Sequence, residues 1–312
     1  MRKLLFIFLF FSAFGTMAQS SDWLFLLPKW EVDEEVMLTI TLNEKVTRND
    51  TVLRDEQDST HEYLKVLTAT EQGFTVEWIS ERFRLDVFKD VPELQNAVDQ
   101  VLARADSLLM EVKVHPAGRL TGLRNWLDVQ SVYFAIFDYV GTSLRQQGIE
   151  MTDEEITSMV GEMKQRIQNR LEVERTALSP FETLFSGYNH AMHKDSIQIQ
   201  ELEIPISFAQ RPVKATITTR IETLNDSTAV VVNETTVLET NARAAINDYL
   251  KFQEAMGEAP FEPLGEGAFQ FYEKSVYSYE RKTGWWTDIQ FEARTVINET
   301  VLEQSVVYKV QK

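Results

Sequence analysis

The sequence predicts an α+β fold: a long, curved antiparallel β-sheet packed on helices, in two pseudo-repeated β-rich halves with a helical insertion between them. Three observations carry this. Several segments alternate apolar and polar residues with period two, the pattern of an antiparallel sheet with one solvated face. Between them stand segments with apolar residues at helical spacing and capping residues in front. Finally, the 312 residues include no cysteine, so the core alone must hold the fold, and a chain of this length buries roughly three quarters of its unfolded surface.

At the N-terminus, Arg2 and Lys3 precede an apolar run from Leu4 to Phe11 and small residues around Thr16 and Ala18. That layout predicts a secretory signal peptide over 1–18, with the mature chain starting at Gln19. The apolar run is about half the roughly 20 residues a membrane-spanning helix needs. No other segment reads as a span, and without cysteine there is no thiol for lipid attachment, so the expected location is periplasmic or extracellular.

The β-rich first half is expected over 19–126. Val36, Leu38, Ile40, Leu42 and Val46 define one apolar face of a long strand. Phe74, Val76 and Trp78 lie on even positions but Phe83, Leu85 and Val87 on odd ones, which predicts a bulge near Ile79 to Arg82. Pro92 opens a helix bearing Leu94, Val98, Val101, Leu102 and Ala105. A strand carries Leu108, Met110, Val112 and Val114. Gly118 and Gly122 then raise the question of a phosphate-binding loop, but a loop of that kind wants more glycines, a lysine and an immediate helix. His115, Pro116, Ala117 and Gly118 instead suit a type I hairpin turn, with proline second and glycine fourth.

The helical insertion is expected over 127–190. Val129, Val132, Tyr133, Ile136, Phe137, Val140 and Leu144 form an apolar face that Phe134 and Tyr139 widen, with Asp128 as the cap. So apolar a helix should be buried against the concave side of the sheet. Thr152 and Glu155 have capping-box spacing ahead of Ile156, Met159, Val160, Met163, Ile167 and Leu171, which read as one further helix.

The second half, 191–312, repeats the arrangement, all three structured parts forming one compact unit. Val213, Ala215, Ile217 and Ile221 alternate, then Asn241 caps a helix bearing Ile246, Tyr249, Leu250 and Met256, with Gly257 to end it. Trp285, Ile289, Phe291, Ala293 and Ile297 mark a strand, and Leu302, Val306, Tyr308 and Val310 another. Glycine-turn hairpins at Gly118 and Gly284 occupy matching places in the two halves.

Charge and chemistry narrow the function. The balance of 31 basic against 48 acidic residues gives −17, a field that repels phosphate backbones, so no nucleic-acid partner is expected. His190 and His193 are three apart, a spacing compatible with metal, but without a third ligand in the local pattern they predict none. The carboxylates of Glu31 to Glu35 and of Asp153 to Glu155 would serve a hydrolase as acid and base, although among 48 acids they read as solvated charge. No cofactor motif is present.

Aromatic residues give the candidate site. Phe269, Phe271, Tyr277 and Tyr279 share one strand parity, and Trp285 and Trp286, being adjacent, should point opposite ways, one of them near the surface. Tyr277, Tyr279, Trp285 and Trp286 are the expected ligand-binding residues, lining a groove for an apolar, lipid-like molecule. The stretches from Thr68 to Ile79 (TATEQGFTVEWI) and from His115 to Val129 (HPAGRLTGLRNWLDV) resemble exported β-rich proteins of unknown function from Bacteroidota. That resemblance implies a source, supported by Asp-Ser/Thr triplets similar to the O-glycosylation pattern of those bacteria, at Asp50, Asp58, Asp106, Asp195 and Asp226. It implies no catalytic residue. The expected function is therefore non-enzymatic binding of an apolar molecule or an envelope partner. A secreted hydrolase working through carboxylates and a purely structural envelope component are the alternatives.

Overall fold

The computed structural model describes residues 22–80, 108–147, 151–204, 211–256 and 262–312. The expected leader, the Pro92 helix, the second half of the expected bulge and Gly257 lie outside the described residues. Thirteen strands are described: β1 Trp23–Leu26, β2 Glu35–Arg48, β3 Thr51–Thr70, β4 Gly73–Ser80, β5 Leu108–Val114, β6 Leu120–Leu123, β7 His190–His193, β8 Ile197–Ile204, β9 Val213–Leu224, β10 Thr228–Val237, β11 Phe269–Glu280, β12 Trp286–Ile297 and β13 Thr300–Gln311. Four helices accompany them among the described residues: α1 Trp126–Gln147, α2 Asp153–Gln165, α3 Arg170–Ser186 and α4 Glu239–Ala255.

Eleven strands form an antiparallel sheet in the order β6-β5-β4-β3-β2-β13-β12-β11-β10-β9-β8, and β1 pairs with β7 separately. The predicted alternation is realised in the burial of the strands. All four of Leu108, Met110, Val112 and Val114 are buried along β5, while Leu109 and Lys113 between them are exposed.

The chain divides into two compact units. The N-terminal unit holds Leu27–Leu42, Gln57–Asn189 and Val306–Lys312; the C-terminal unit holds the residues up to Leu26, Asn43–Glu56 and His190–Ser305. The helical insertion thus belongs with the first β-rich half.

In the N-terminal unit the hairpin turn forms as the sequence predicts. The Gly118 amide donates to the His115 carbonyl at 2.7 Å, closing the turn, and Gly118 has φ +88°. A Cβ there would lie 2.3 Å from the Tyr188 Cβ, so glycine meets both a dihedral and a packing requirement. At Gly122 a Cβ would meet the Glu174 carboxylate, whose Oε1 accepts from the Leu123 amide at 2.7 Å. A protein carboxylate occupies this amide, which a phosphate loop would have kept for its ligand.

Three helical expectations need correction. Helix α1 starts at Trp126, so Asp128 stands in its first turn and does not cap it; Val132 and Tyr139 are exposed, while Val129, Tyr133, Ile136, Phe137, Val140 and Leu144 are buried. This helix packs on α2 and α3 and meets the sheet at β5, whereas α3 sets Phe181 and Phe185 on Trp78 of β4, with centroids 4.0 and 5.9 Å apart. The second expected helix is two. Its capping box forms as predicted, Glu155 Oε2 accepting from the Thr152 amide at 2.7 Å, but α2 ends and Asn169 caps α3 by accepting from the Glu172 amide at 3.1 Å. Leu171 consequently points away, 72% exposed, because a new helix has a new phase.

In the C-terminal unit α4 begins after Leu238, with no side-chain cap, so Asn241 lies inside its first turn. Its Ala242, Ala245 and Ile246 pack with Val213, Leu264 and Phe269 in one buried cluster. Ile246 carries the inward face that its spacing predicts; Met256 is an exposed C-cap.

Candidate functional site

The inward face of the N-terminal unit is uneven. Leu64 and Val66 of β3 are buried and fix which parity of that strand points in. Carried back along the strand, the same parity brings Glu62, Thr60 and Asp58 inward. Polar residues therefore stand where the pattern asks for apolar ones, and a partly open cavity of about 240 Å³ lies over them.

Alternate residues of five strands line it: Ile40 and Leu42 of β2, the β3 trio, Ser80 of β4, Leu108 and Met110 of β5, and Val306 and Tyr308 of β13. Helices contribute Tyr133 of α1 with Ala177 and Phe181 of α3. Glu62, Ser80 and Leu108 form one cross-strand row. No lysine, arginine or histidine is among the described residues that line the cavity.

Glu62 is 6% exposed and holds two hydrogen bonds. The Trp78 indole Nε1 donates to its Oε2 at 2.8 Å and the Ser80 hydroxyl to its Oε1 at 3.3 Å. Both bonds favour the ionised carboxylate, yet burial outweighs them and pushes the carboxyl up to about 7. Burial also raises the Tyr133 hydroxyl above its ordinary value. The Thr60 Oγ1 is buried with no hydrogen-bond partner among the described residues. Such a group costs about 1–3 kcal/mol unless something pairs with it.

This arrangement offers an apolar molecule with a polar end a place to bind. Asp58 and Glu62 are four residues apart on an extended strand, about 13 Å between Cα atoms. His61 has the opposite parity, its Nδ1 lying 3.2 Å from the Thr39 hydroxyl. The carboxylates singled out from sequence are engaged elsewhere: Glu35 pairs with Lys65 at 2.7 Å, and Glu155 caps α2.

The aromatic residues expected to bind ligand lie in the C-terminal unit. Tyr277, Tyr279, Trp285 and Trp286 are all buried, and the Trp286 ring stands 5.4 Å from Tyr277 and 5.2 Å from Tyr279. The expected exposure of one tryptophan needs correction, since Trp285 is 3% and Trp286 1% exposed. Trp285 lies before β12 begins, its carbonyl accepting from the Glu280 amide at 2.8 Å, and a register shift follows at Ser278 and Tyr279. The strict alternation of an extended pair therefore does not apply.

His190 and His193 fall on β7, where a spacing of three puts side chains on opposite faces. His193 makes an edge contact with Trp23 at 5.5 Å. No group of three or more metal-ligating side chains occurs among the described residues.

The cavity residues of β3, Asp58, Thr60 and Glu62, escape a sequence reading because none of them is apolar. The usable signal was there: Leu64 and Val66 set a parity on which Glu62, Thr60 and Asp58 then break the pattern, and such breaks tend to mark function.

No family model and no curated protein matches the sequence. Fourteen chains among solved structures do. One, described as "Lipid-protein interactions in lipovitellin", aligns over 91% of this chain at 7% identity and a TM-score of 0.39. This chain spans 25% of that one. Similarity this loose leaves the chemistry of the site to be argued from its own residues.

Proposed function

We propose that the protein is a non-enzymatic carrier or receptor that holds an apolar small molecule in the N-terminal-unit cavity, and that it works after export, its mature chain starting at Gln19. The observation that carries the reading is a mostly apolar cavity with a few polar groups, Asp58, Thr60 and Glu62 on β3 and Ser80 beside them on β4. A cavity of 240 Å³ is equivalent to roughly eight water volumes, enough for a short alkyl segment or one ring. A purely structural envelope role would leave the buried Thr60 hydroxyl without purpose.

Native mass spectrometry of protein purified from its own host tests it. The expected result is a lipid-sized adduct on the wild-type chain that is lost in Ala177→Leu, where a larger side chain enters the cavity. A wild-type chain that flies bare overturns the binding reading. N-terminal sequencing of the exported protein tests the leader, and an intact Met1 terminus overturns it.

A further inference from the structure

We infer that the occupant of the cavity carries a cationic head: an alkylammonium whose nitrogen sits between the Glu62 carboxylate and the Thr60 hydroxyl. The inference rests on the binding function just proposed and names the ligand class. Glu62 and Thr60 are neighbours on one strand face, about 7 Å apart between Cα atoms, so one head group can serve both. An ammonium has three N–H donors and no acceptor. That suits a site whose inward polar atoms from Glu62 are acceptors and whose Thr60 Oγ1 has no partner among the described residues.

Charge points the same way. The ionisable groups facing Glu62 from the elements around it are Asp58 on its own strand, Tyr133 from α1 and Tyr308 from β13. None of them is cationic, and among the described lining residues β2, β4, β5 and α3 contribute only uncharged side chains. A fatty-acid carboxylate or a phosphate would enter beside two acids, Asp58 and Glu62, and meet no lysine, arginine or histidine among the described lining residues. A cation meets its counter-ion, and the rings of Tyr133, Phe181 and Tyr308 add the electron-rich faces that favour ammonium groups in water-poor sites. Binding of the ammonium to the protonated fraction of Glu62 releases that proton to solvent.

The test is calorimetric titration of the full chain at pH 8 with octylammonium, octan-1-ol and octanoate, which share a tail and differ in head. A charge-assisted hydrogen bond predicts at least about tenfold tighter binding of octylammonium than of octan-1-ol, with octanoate weakest. Glu62→Gln keeps an acceptor for the Trp78 indole and should lose the preference for octylammonium over octan-1-ol. Thr60→Val should lose part of it. Octanoate binding as tightly as octylammonium, or an unchanged preference in Glu62→Gln, overturns the cationic head. If octan-1-ol binds and the amine binds no better, the head-group inference falls and the apolar-carrier reading stands; if none of the three binds, both fall.

Discussion

The two units build inward faces from the same kind of antiparallel meander and finish them differently. In the C-terminal unit, β11 and β12 present Tyr277, Tyr279, Trp286 and Phe291, and rings 5.2 to 5.7 Å apart fill the space. In the N-terminal unit, β3, β4 and β5 present Thr60, Glu62, Ser80 and Met110, and α3 presents Ala177. Those side chains are too small to fill the gap, and a cavity remains. Both faces also carry a carboxyl raised by burial: half-buried Glu273 beside Thr235 in one unit, buried Glu62 beside Ser80 in the other. The difference teaches that side-chain volume decides whether such a face is filled or hollow, and that aromatic density in a sequence marks the filled one.

Four substitutions would break or sharpen that contrast. The largest effect is expected from Ile136→Asp, on the α1 face that also brings Tyr133 to the cavity: a buried unpaired charge costs several kcal/mol and should unfold the N-terminal unit. Circular dichroism that matches the wild type would mean the helix is not part of that core. Next, Trp286→Ala removes a ring from the filled face and should cost about 3–5 kcal/mol in urea unfolding. A cost below about 1 kcal/mol would put that face on a par with the hollow one.

Glu62→Gln comes third and depends on pH. The folded carboxyl titrates near 7, above the ordinary 4.5, so the folded state holds its proton longer than the unfolded one. Stability is therefore fully present below pH 4.5, is lost as pH rises towards 7, and then levels off. Glutamine removes that slope. The stability difference should shift by about 3 kcal/mol in the variant's favour between pH 4 and pH 8. Parallel pH profiles for the two proteins would show that burial does not penalise the carboxylate. Smallest is Thr152→Ala, which removes one side of the α2 capping box and should cost about 1 kcal/mol by thermal melting. A loss much above that would mean α2 anchors the helices over the cavity.

The sequence made the strands legible because period two is a strong signal wherever one face is buried, as along β5 and at the start of β2. The Gly118 hairpin and the Thr152 capping box were readable because each depends on residues within four positions. Helix boundaries were less so. Asn169 reads as an ordinary polar residue within a long apolar period, and only its bond to the Glu172 amide shows that one helix ends and another begins. The cavity was hardest to see. Its lining is gathered from five strands and two helices, and Glu62 becomes unusual only once Trp78 and Ser80 are beside it.

At one end of the strand order, β8 is bonded to β9 on one side, and Ile197 and Ile199 lie largely in solvent along it. A strand of this kind offers a ready template on which a second copy could extend the ladder. Glu201 and Glu203 follow on the same strand, and at neutral pH their charges, within a chain of net −17, act as gatekeepers that keep copies apart. Their protection is electrostatic and so conditional. Light scattering at rising salt should detect self-association as these charges are screened, and Ile199→Lys should suppress it; a chain that stays monodisperse at about 1 M salt would show that the edge is guarded by shape instead of charge.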